Sequence, residues 1–390
     1  MWYLLAIVSI FGHWAISIWS VNRLHSTALP YRFMKAIDKV WYGFLFVVPL
    51  GTFAWLWLRP SSNLLTWERI GPFVIAYSMV CCPAAIYTLI VWWRYLTDLS
   101  TTNRLLSTNN VIYDVAKELG YKPTGTAGSA LLAALPANQV FEIDVTTKTV
   151  LLPNLPAELD GVTITHISDL HFTGRVTREF YERVVALVNE LDSDFVTITG
   201  DIIDKMKCFP WLKDVLGKIK KNRSVLFVLG NHDLRIKDEV MIRGAMSRNG
   251  HVDLGGRWET VTINGQPILF CGNELPWFPR ATNMSECPAE IAGKKPFRVL
   301  LSHSPDQIPW AKQNAFDLML AGHTHGGQIR FPGIGPVFTP SRYGVKYASG
   351  TFFESPTLMH VSRGLCGCRL LRFNCRPEMT QLVLRSKSQS

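Results

Sequence analysis

Charge is what the first hundred residues of this 390-residue chain lack. Residues 2–21, 40–58 and 70–93 contain no Asp, Glu, Lys or Arg, although these types make up 18% of the whole. Uncharged runs of that length seldom occur in soluble domains, and each would cross a hydrocarbon layer of about 30 Å as a helix. Gly71, Pro72 and Pro83 interrupt the third run, which a membrane helix tolerates better than a soluble one. Tryptophan and tyrosine crowd the run ends (Trp2, Tyr3, Trp19, Trp41, Tyr42, Trp92, Trp93), as at a membrane–water interface. No basic segment precedes the first run and no clear small-residue cleavage site follows it, which disfavours a cleaved signal peptide. Three transmembrane helices are therefore expected within residues 1–97.

A disulfide framework is missing too. Six of the eight cysteines lie after residue 200 without regular spacing, so reduced thiols are expected. Cys366, Cys368 and Cys375 lie close together, but with no fourth ligand nearby they read as core thiols rather than a zinc site. No internal repeat or long low-complexity tract is present. The net charge of +10 does not imply nucleic acid; beside membrane spans, a basic surface faces anionic lipid or a phosphorylated substrate. Arg23, Arg32, Lys35 and Lys39 fall in the first loop, against Arg59 and Arg69 in the second. Positive charge stays inside, so the first loop and everything after the third span are expected in the cytoplasm.

What the chain does have is five short blocks of metal-ligand residue types in its last 230 residues. They are Asp169-Leu170-His171, Gly200-Asp201-Ile202-Ile203-Asp204, Gly230-Asn231-His232-Asp233, Ser302-His303-Ser304 and Gly322-His323-Thr324-His325-Gly326-Gly327-Gln328. Each sits where an apolar run stops: 162–167, 195–198, 225–229, 299–301 and 318–321. Such runs, stopping at Gly and polar residues, read as buried strands. Side chains on loops at the C-terminal ends of neighbouring strands converge on one crevice. Three carboxylates, one amide and five histidines are the donors on offer, and together they suit Mn, Fe, Zn or Co. Two divalent ions are expected, manganese first.

In order, strand context and flanking glycines the set resembles the calcineurin-like metallophosphoesterase superfamily over residues 140–385. The resemblance implies an α/β fold, a two-sheet αββα sandwich. It also implies that Asp169, His171, Asp201 and His325 hold one metal, while Asp201, Asn231, His303 and His323 hold the other, with Asp201 bridging. His232 is then left to contact the scissile phosphate and help the leaving oxygen, with Asp233 orienting its ring. Asp204 admits two readings, support for a ligand or a helix N-cap. His166 and His251 read as core or helix-end histidines, and His13 as an uncharged one in an apolar segment.

Residues 1–97 are thus expected to be a membrane anchor, 98–139 a juxtamembrane connector and 140–390 the catalytic domain. Within the last, Phe180, Val184, Leu187 and Leu191 predict an amphipathic helix over 176–191, and Asn264-Gly265 predicts a hairpin with a type I′ turn. Residues 328–350 mix Gly and Pro with aromatics, and Arg330, Arg342 and Lys346 are its candidate phosphate ligands. This stretch resembles that of membrane-associated bacterial members of the superfamily, including the chlamydial type of UDP-2,3-diacylglucosamine hydrolase. The resemblance implies a membrane-anchored hydrolase, in the bacterial inner membrane, acting on a lipid-linked phosphate. Phospholipid headgroups are the alternative substrate, and a non-catalytic scaffold the alternative of another class.

Overall fold

The structure, a computed structural model, describes residues 2–58, 67–97, 104–220, 224–367 and 369–387. The chain divides into two compact units, one of residues 1–98 with 342–346, the other of 99–341 with 347–390.

The first unit is built on three long helices, α1 (Trp2–His25), α2 (Tyr31–Leu58) and α3 (Trp67–Thr97). Apart from Val21 and Pro49, its buried positions are small or polar. Ser9, His13, Ser17, Asn22, Ser78, Cys81 and Ala85 are all buried, while Leu4, Ile7, Val47, Met79 and Val80 are each more than 60% exposed. Helices α1 and α3 meet closely: the Ser9 hydroxyl donates to that of Ser78 at 3.0 Å, and a Cβ on Gly12 would fall 1.8 Å from the carbonyl oxygen of Cys81. Three spans were expected. Among the described residues two helices are long and apolar enough to cross a membrane, Leu4–His25 and Val74–Arg94. The first third of α2 carries Arg32, Lys35, Asp38 and Lys39, and Gly43, Pro49 and Gly51 dilute the apolar stretch that follows. Side chains at 55–58 lie outside the description.

The second unit holds two stacked mixed sheets. In chain order its strands are β1 (Leu105–Asp114), β2 (Glu142–Leu152), β3 (Thr163–Ile167), β4 (Phe195–Thr199) and β5 (Ser224–Val228). Then come β6 (Val252–Asp253), β7 (Trp258–Ile263), β8 (Gln266–Asn273), β9 (Phe297–Ser302) and β10 (Leu318–Ala321). The last are β11 (Arg330–Phe331), β12 (Gly335–Pro336), β13 (Gly350–Glu354), β14 (Thr357–Val361) and β15 (Glu378–Ser386). One sheet runs β1-β2-β15-β3-β4-β5-β6, the other β13-β14-β10-β9-β8-β7, and β11 pairs with β12.

Alternation along each strand makes the layers. Phe195, Leu226 and Val228 face Phe270, Val299, Leu301 and Leu320 between the sheets, while Val196 and Ile198 face outward to a helix. That helix, Arg178–Glu190, buries Phe180, Val184 and Leu187 at helical spacing. Burying each such side chain contributes about 1.5–3 kcal/mol. The expected hairpin joins β7 to β8 through Asn264 (φ 50°) and Gly265 (φ 74°), both left-handed as a type I′ turn requires.

The expected connector is largely structured. Residues 105–114 form edge strand β1, antiparallel to β2, and belong to the second unit. Its sequence, Leu-Leu-Ser-Thr-Asn-Asn-Val-Ile-Tyr-Asp, buries no face, so no alternation announces it.

Candidate metal centre

Strands β3, β4 and β5 run parallel, as do β9 and β10, and the five ligand-bearing blocks leave their C-terminal ends. The loops meet at very short range because the block glycines have no side chain. A Cβ on Gly230 would lie 2.4 Å from Asp201 Oδ1, and one on Gly322 would lie 1.9 Å from Ser168 Oγ. Asp169, His171, Asp201, His323 and His325 all adopt left-handed φ, between 48° and 71°. Five non-glycine residues so placed, at about 1–3 kcal/mol each, mark a strained site held by its surroundings.

Two donor clusters share Asp201. In one, His171 Nε2 lies 3.3 Å from His325 Nε2 and 3.5 Å from Asp201 Oδ2, and His325 Nε2 lies 3.5 Å from Asp169 Oδ1. In the other, His303 Nε2 lies 3.3 Å from Asp201 Oδ1, 3.2 Å from Asn231 Oδ1 and 3.1 Å from His323 Nδ1. Within Asp169, His171, Asp201 and His325, and again within Asp201, His303 and His323, the donor atoms all lie within 4.8 Å of one another. Lone-pair atoms packed this closely in a buried place repel unless protons or cations lie between them, and these residues fit a pair of divalent ions.

Protonation agrees. Burial and neighbouring imidazoles hold His323 and His325 well below the ordinary histidine pKa, so both are neutral and have a lone pair to give. Burial opposes ionisation of Asp201, but His303, His232 and His171 outweigh it and hold the carboxyl well below the usual range.

The far nitrogens of three imidazoles are held by oxygen, while His323 Nε2 is buried without a partner among the described residues. His303 Nδ1 meets Thr199 O at 2.7 Å, His325 Nδ1 meets Cys366 O at 3.1 Å, and His171 Nδ1 meets Asp204 Oδ2 at 2.8 Å. This orientation fixes which nitrogen points inward. Asp204 is thereby not a helix cap. It also takes His232 Nδ1 at 2.6 Å and the Arg235 guanidinium on Oδ1.

Asp233 was expected to orient His232, and it does not. Its Oδ1 accepts the amides of Ile202 and Ile203, and its Oδ2 that of Gly230 at 2.8 Å. Adjacent to the ring in sequence, it is turned the other way and ties the Asp201 loop to the Asn231 loop. Burial, then the charge of Asp201, pushes its carboxyl up to about 7.

The basic residues of 328–350 separate. Arg330 donates to Gly326 O at 2.9 Å and to the Ser349 hydroxyl, outside either donor cluster. Arg342 and Lys346 belong to the helical unit, where Arg23 Nε donates to Arg342 O at 3.1 Å. Residues that sequence reasoning missed surround the centre instead. Trp277 packs its ring 4.6 Å from His323, and Arg235 Nη2 lies 3.2 Å from His232 Nε2. Arg372, fully buried, donates to the carbonyls of His325, Arg363, Gly364, Cys366 and Cys375.

The remaining histidines are structural. His166 bonds Thr199 Oγ1 and His360, and His251 is buried at the end of helix Glu239–Arg248; burial lowers each to about 4. His13 meets Phe44 O at 3.2 Å. None of the seven cysteines described forms a disulfide, and Cys368 lies outside the described residues.

Residues 162–327 match the family described as Calcineurin-like phosphoesterase. The chain is 31% identical over 249 residues to the uncharacterized metallophosphoesterase YkuE of Bacillus subtilis, covering 63% of this chain and 86% of that protein. The chain belongs to the calcineurin-like metallophosphoesterase family and is a hydrolase of that class. It is 29% identical to the phosphodiesterase YaeI of Escherichia coli, over 57% of this chain and 81% of that protein. It is 25% identical to the UDP-2,3-diacylglucosamine pyrophosphatase LpxG of Chlamydia muridarum, over 58% of this chain and 85% of that protein.

Proposed function

We propose that the second unit hydrolyses a phosphodiester or pyrophosphate bond in a lipid-linked substrate, with UDP-2,3-diacylglucosamine the first candidate. The observation that carries the chemistry is Asp201, whose two carboxylate oxygens face separate histidine clusters at 3.5 and 3.3 Å. In this reading Asp169, His171, Asp201 and His325 hold one ion, and Asp201, Asn231, His303 and His323 the other. Manganese is the first choice; iron, zinc and cobalt suit the same donors. Divalent ions so held supply Lewis-acid charge to the phosphoryl oxygens and make water nucleophilic at neutral pH.

The chain's own groups do the rest. Asp204 anchors His232 at Nδ1, so that Nε2 faces the substrate and can give the leaving oxygen a proton. Arg235, held by Asp204 with its Nη2 3.2 Å from His232 Nε2, stands where a phosphate would enter, as a guanidinium fork suits. Hydrolysis of the named nucleotide would release UMP and leave an acyl-sugar 1-phosphate. A non-catalytic scaffold is disfavoured because every ligand position is filled and His232 is present.

The lipid part of the reading rests on the helical unit and on the chlamydial relative's named substrate. Two apolar helices with exposed Leu, Val and Met and buried Ser and His suit an apolar solvent. The unit is read as a multi-pass anchor in a bacterial inner membrane, with the catalytic unit on the cytoplasmic side by the charge of the first loop. Tethering would raise the effective concentration of a membrane-bound substrate. The E. coli relative is named a phosphodiesterase, which supports a second reading, cleavage of a diester; beside an apolar helical unit, phospholipid headgroups are its first candidate.

Purified protein with Mn²⁺ should be assayed against UDP-diacylglucosamine, a glycerophosphodiester and bis-p-nitrophenyl phosphate. Release of UMP is expected. Cleavage of the glycerophosphodiester alone would transfer the assignment to phospholipid, and cleavage of bis-p-nitrophenyl phosphate alone would sink the lipid-linked substrate. A C-terminal reporter active only outside the cytoplasm should stay silent; a signal would reverse the orientation.

A further inference from the structure

The inner face of the sandwich is apolar except at one corner. There Lys148 on β2, His166 on β3, His360 on β14 and Glu378 on β15 form a buried chain between the sheets. Lys148 Nζ lies 2.8 Å from Glu378 Oε1 and 3.1 Å from His360 Nε2, and His360 Nδ1 lies 2.9 Å from His166 Nδ1. The chain opens into a cavity of about 280 Å³, lined by Thr108, Asn110, Asp144, Thr146, Lys148, Arg330, Ser349, Gly350, Arg363 and Glu378. None of the proposed metal ligands lines it.

We propose that this cavity is a second, metal-independent binding site for a phosphate-sized oxyanion. Its basic side chains have more donors than their protein partners use. Arg363 commits Nε to Glu378 at 3.0 Å and Nη2 to Asp144 at 2.7 Å; Arg330 commits Nε to Gly326 O and Nη2 to Ser349. Among the described residues, Nη1 of both arginines and the third ammonium hydrogen of Lys148 have no partner. The two acidic side chains, by contrast, already accept: Glu378 uses both oxygens, and Asp144 takes Arg363 and the Thr146 hydroxyl.

Three cations against two carboxylates leave one net positive charge, and burial keeps His360 neutral. Hydroxyls of Thr108 and Thr146 and the amide of Asn110 complete the wall. Spare donors with a net positive charge, in a partly desolvated place, recognise a small anion rather than a cation or an apolar group. A phosphate could arrive free or on a glycerol headgroup, and the chemistry is the same.

The site would report to the metal loops by two routes. Arg330 and Arg363 flank Gly326, next to His325: a Cβ there would lie 2.8 Å from Arg363 Cγ and 3.2 Å from Arg330 Nη2. His166 continues the buried chain to Thr199 Oγ1 at 2.8 Å, and the Thr199 carbonyl holds His303.

The test separates this site from phosphate bound at the metal centre. Full-length Asp201→Asn protein, stripped of metal, is titrated calorimetrically with inorganic phosphate and then with glycerol phosphate. Saturable one-to-one binding of either is expected, and the tighter of the two identifies the source. Asn110→Asp puts a carboxylate on an exposed wall position with no folding burden, and should weaken binding about tenfold or more; Arg330→Gln should do the same. Thermal unfolding of each variant checks the fold. Binding that disappears with Asp201→Asn, or that both wall variants leave unchanged in a folded protein, would overturn the proposal.

Discussion

The two units of this molecule bury opposite things. The helical unit buries Ser9, His13, Ser17, Asn22 and Ser78 and exposes Leu4, Ile7, Val47, Met79 and Val80. The phosphoesterase unit buries its Leu, Val, Ile and Phe between and outside two sheets, and it too has a polar heart, the metal centre. Polar burial therefore has two meanings here. In the helices the pairs are small and local, Ser9 to Ser78 and His13 to Phe44 O, as helices packing in an apolar solvent use them. In the sandwich, by contrast, they are a convergent set of donors under backbone strain, whose near nitrogens face one another and whose far nitrogens, His323 apart, are tied to oxygen. The difference teaches that a buried histidine gains its meaning from what its second nitrogen touches.

Substitutions sharpen that contrast, and the largest effect should come from Asp201→Ala. It removes the carboxylate common to both clusters, so metal content by elemental analysis and turnover should fall together to background. Full metal occupancy in this variant would show that the two clusters do not depend on a shared ligand. His232→Ala should reduce turnover by about 10²–10⁴-fold, the range of a lost general acid, with metal content near normal. Loss of both metals would make His232 a ligand instead.

Asp204→Asn should cost about 10–100-fold in activity or metal affinity, because one carboxylate orients both His171 and His232. Asp233→Asn tests the correction made by the structure. It should show itself mainly as a lower unfolding temperature, since Asp233 ties backbone amides rather than the catalytic ring. If Asp233→Asn lost turnover at unchanged stability, and Asp204→Asn did not, the assignment of the orienting carboxylate would be reversed.

How much of this was legible in the sequence follows from the range of each interaction. The seven proposed ligand residues could be grouped from sequence because each ends a buried strand, and parallel strands bring such ends together whatever the loops do. The Arg178–Glu190 helix and the Asn264–Gly265 turn were readable because period and backbone preference are local. The partner of His232 was not. Asp233 is adjacent in sequence and Asp204 is 28 residues away, and only the loop turn decides between them. Strand β1 was missed because an exposed edge has no alternation to show. Arg330, Arg342 and Lys346 share one segment, yet the segment splits between units, so proximity in sequence misled. Arg372 gave no signal at all: an arginine fully buried to hold five carbonyls looks like any other arginine.

The smallest expected effect tests the helical unit by one substitution made twice. Gly12→Ala puts a Cβ 1.8 Å from the Cys81 carbonyl oxygen, whereas Gly43→Ala meets nothing within 4 Å. Backbone cannot yield as a side-chain end can, so α1 and α3 must separate and lose the Ser9–Ser78 bond. At Gly43 the same change only adds helix propensity, worth about 1 kcal/mol in the stabilising direction. Detergent-solubilised Gly12→Ala protein should therefore show earlier proteolysis within residues 2–97, and Gly43→Ala should match the parent or outlast it. Turnover of bis-p-nitrophenyl phosphate, which needs no lipid contact, should stay near the parent value in both. Equal resistance of the two variants would mean that the close approach of α1 to α3 does not hold the helical unit together. A collapse of turnover in Gly12→Ala would mean that the inverted unit supports the chemistry itself and not only its place at the membrane.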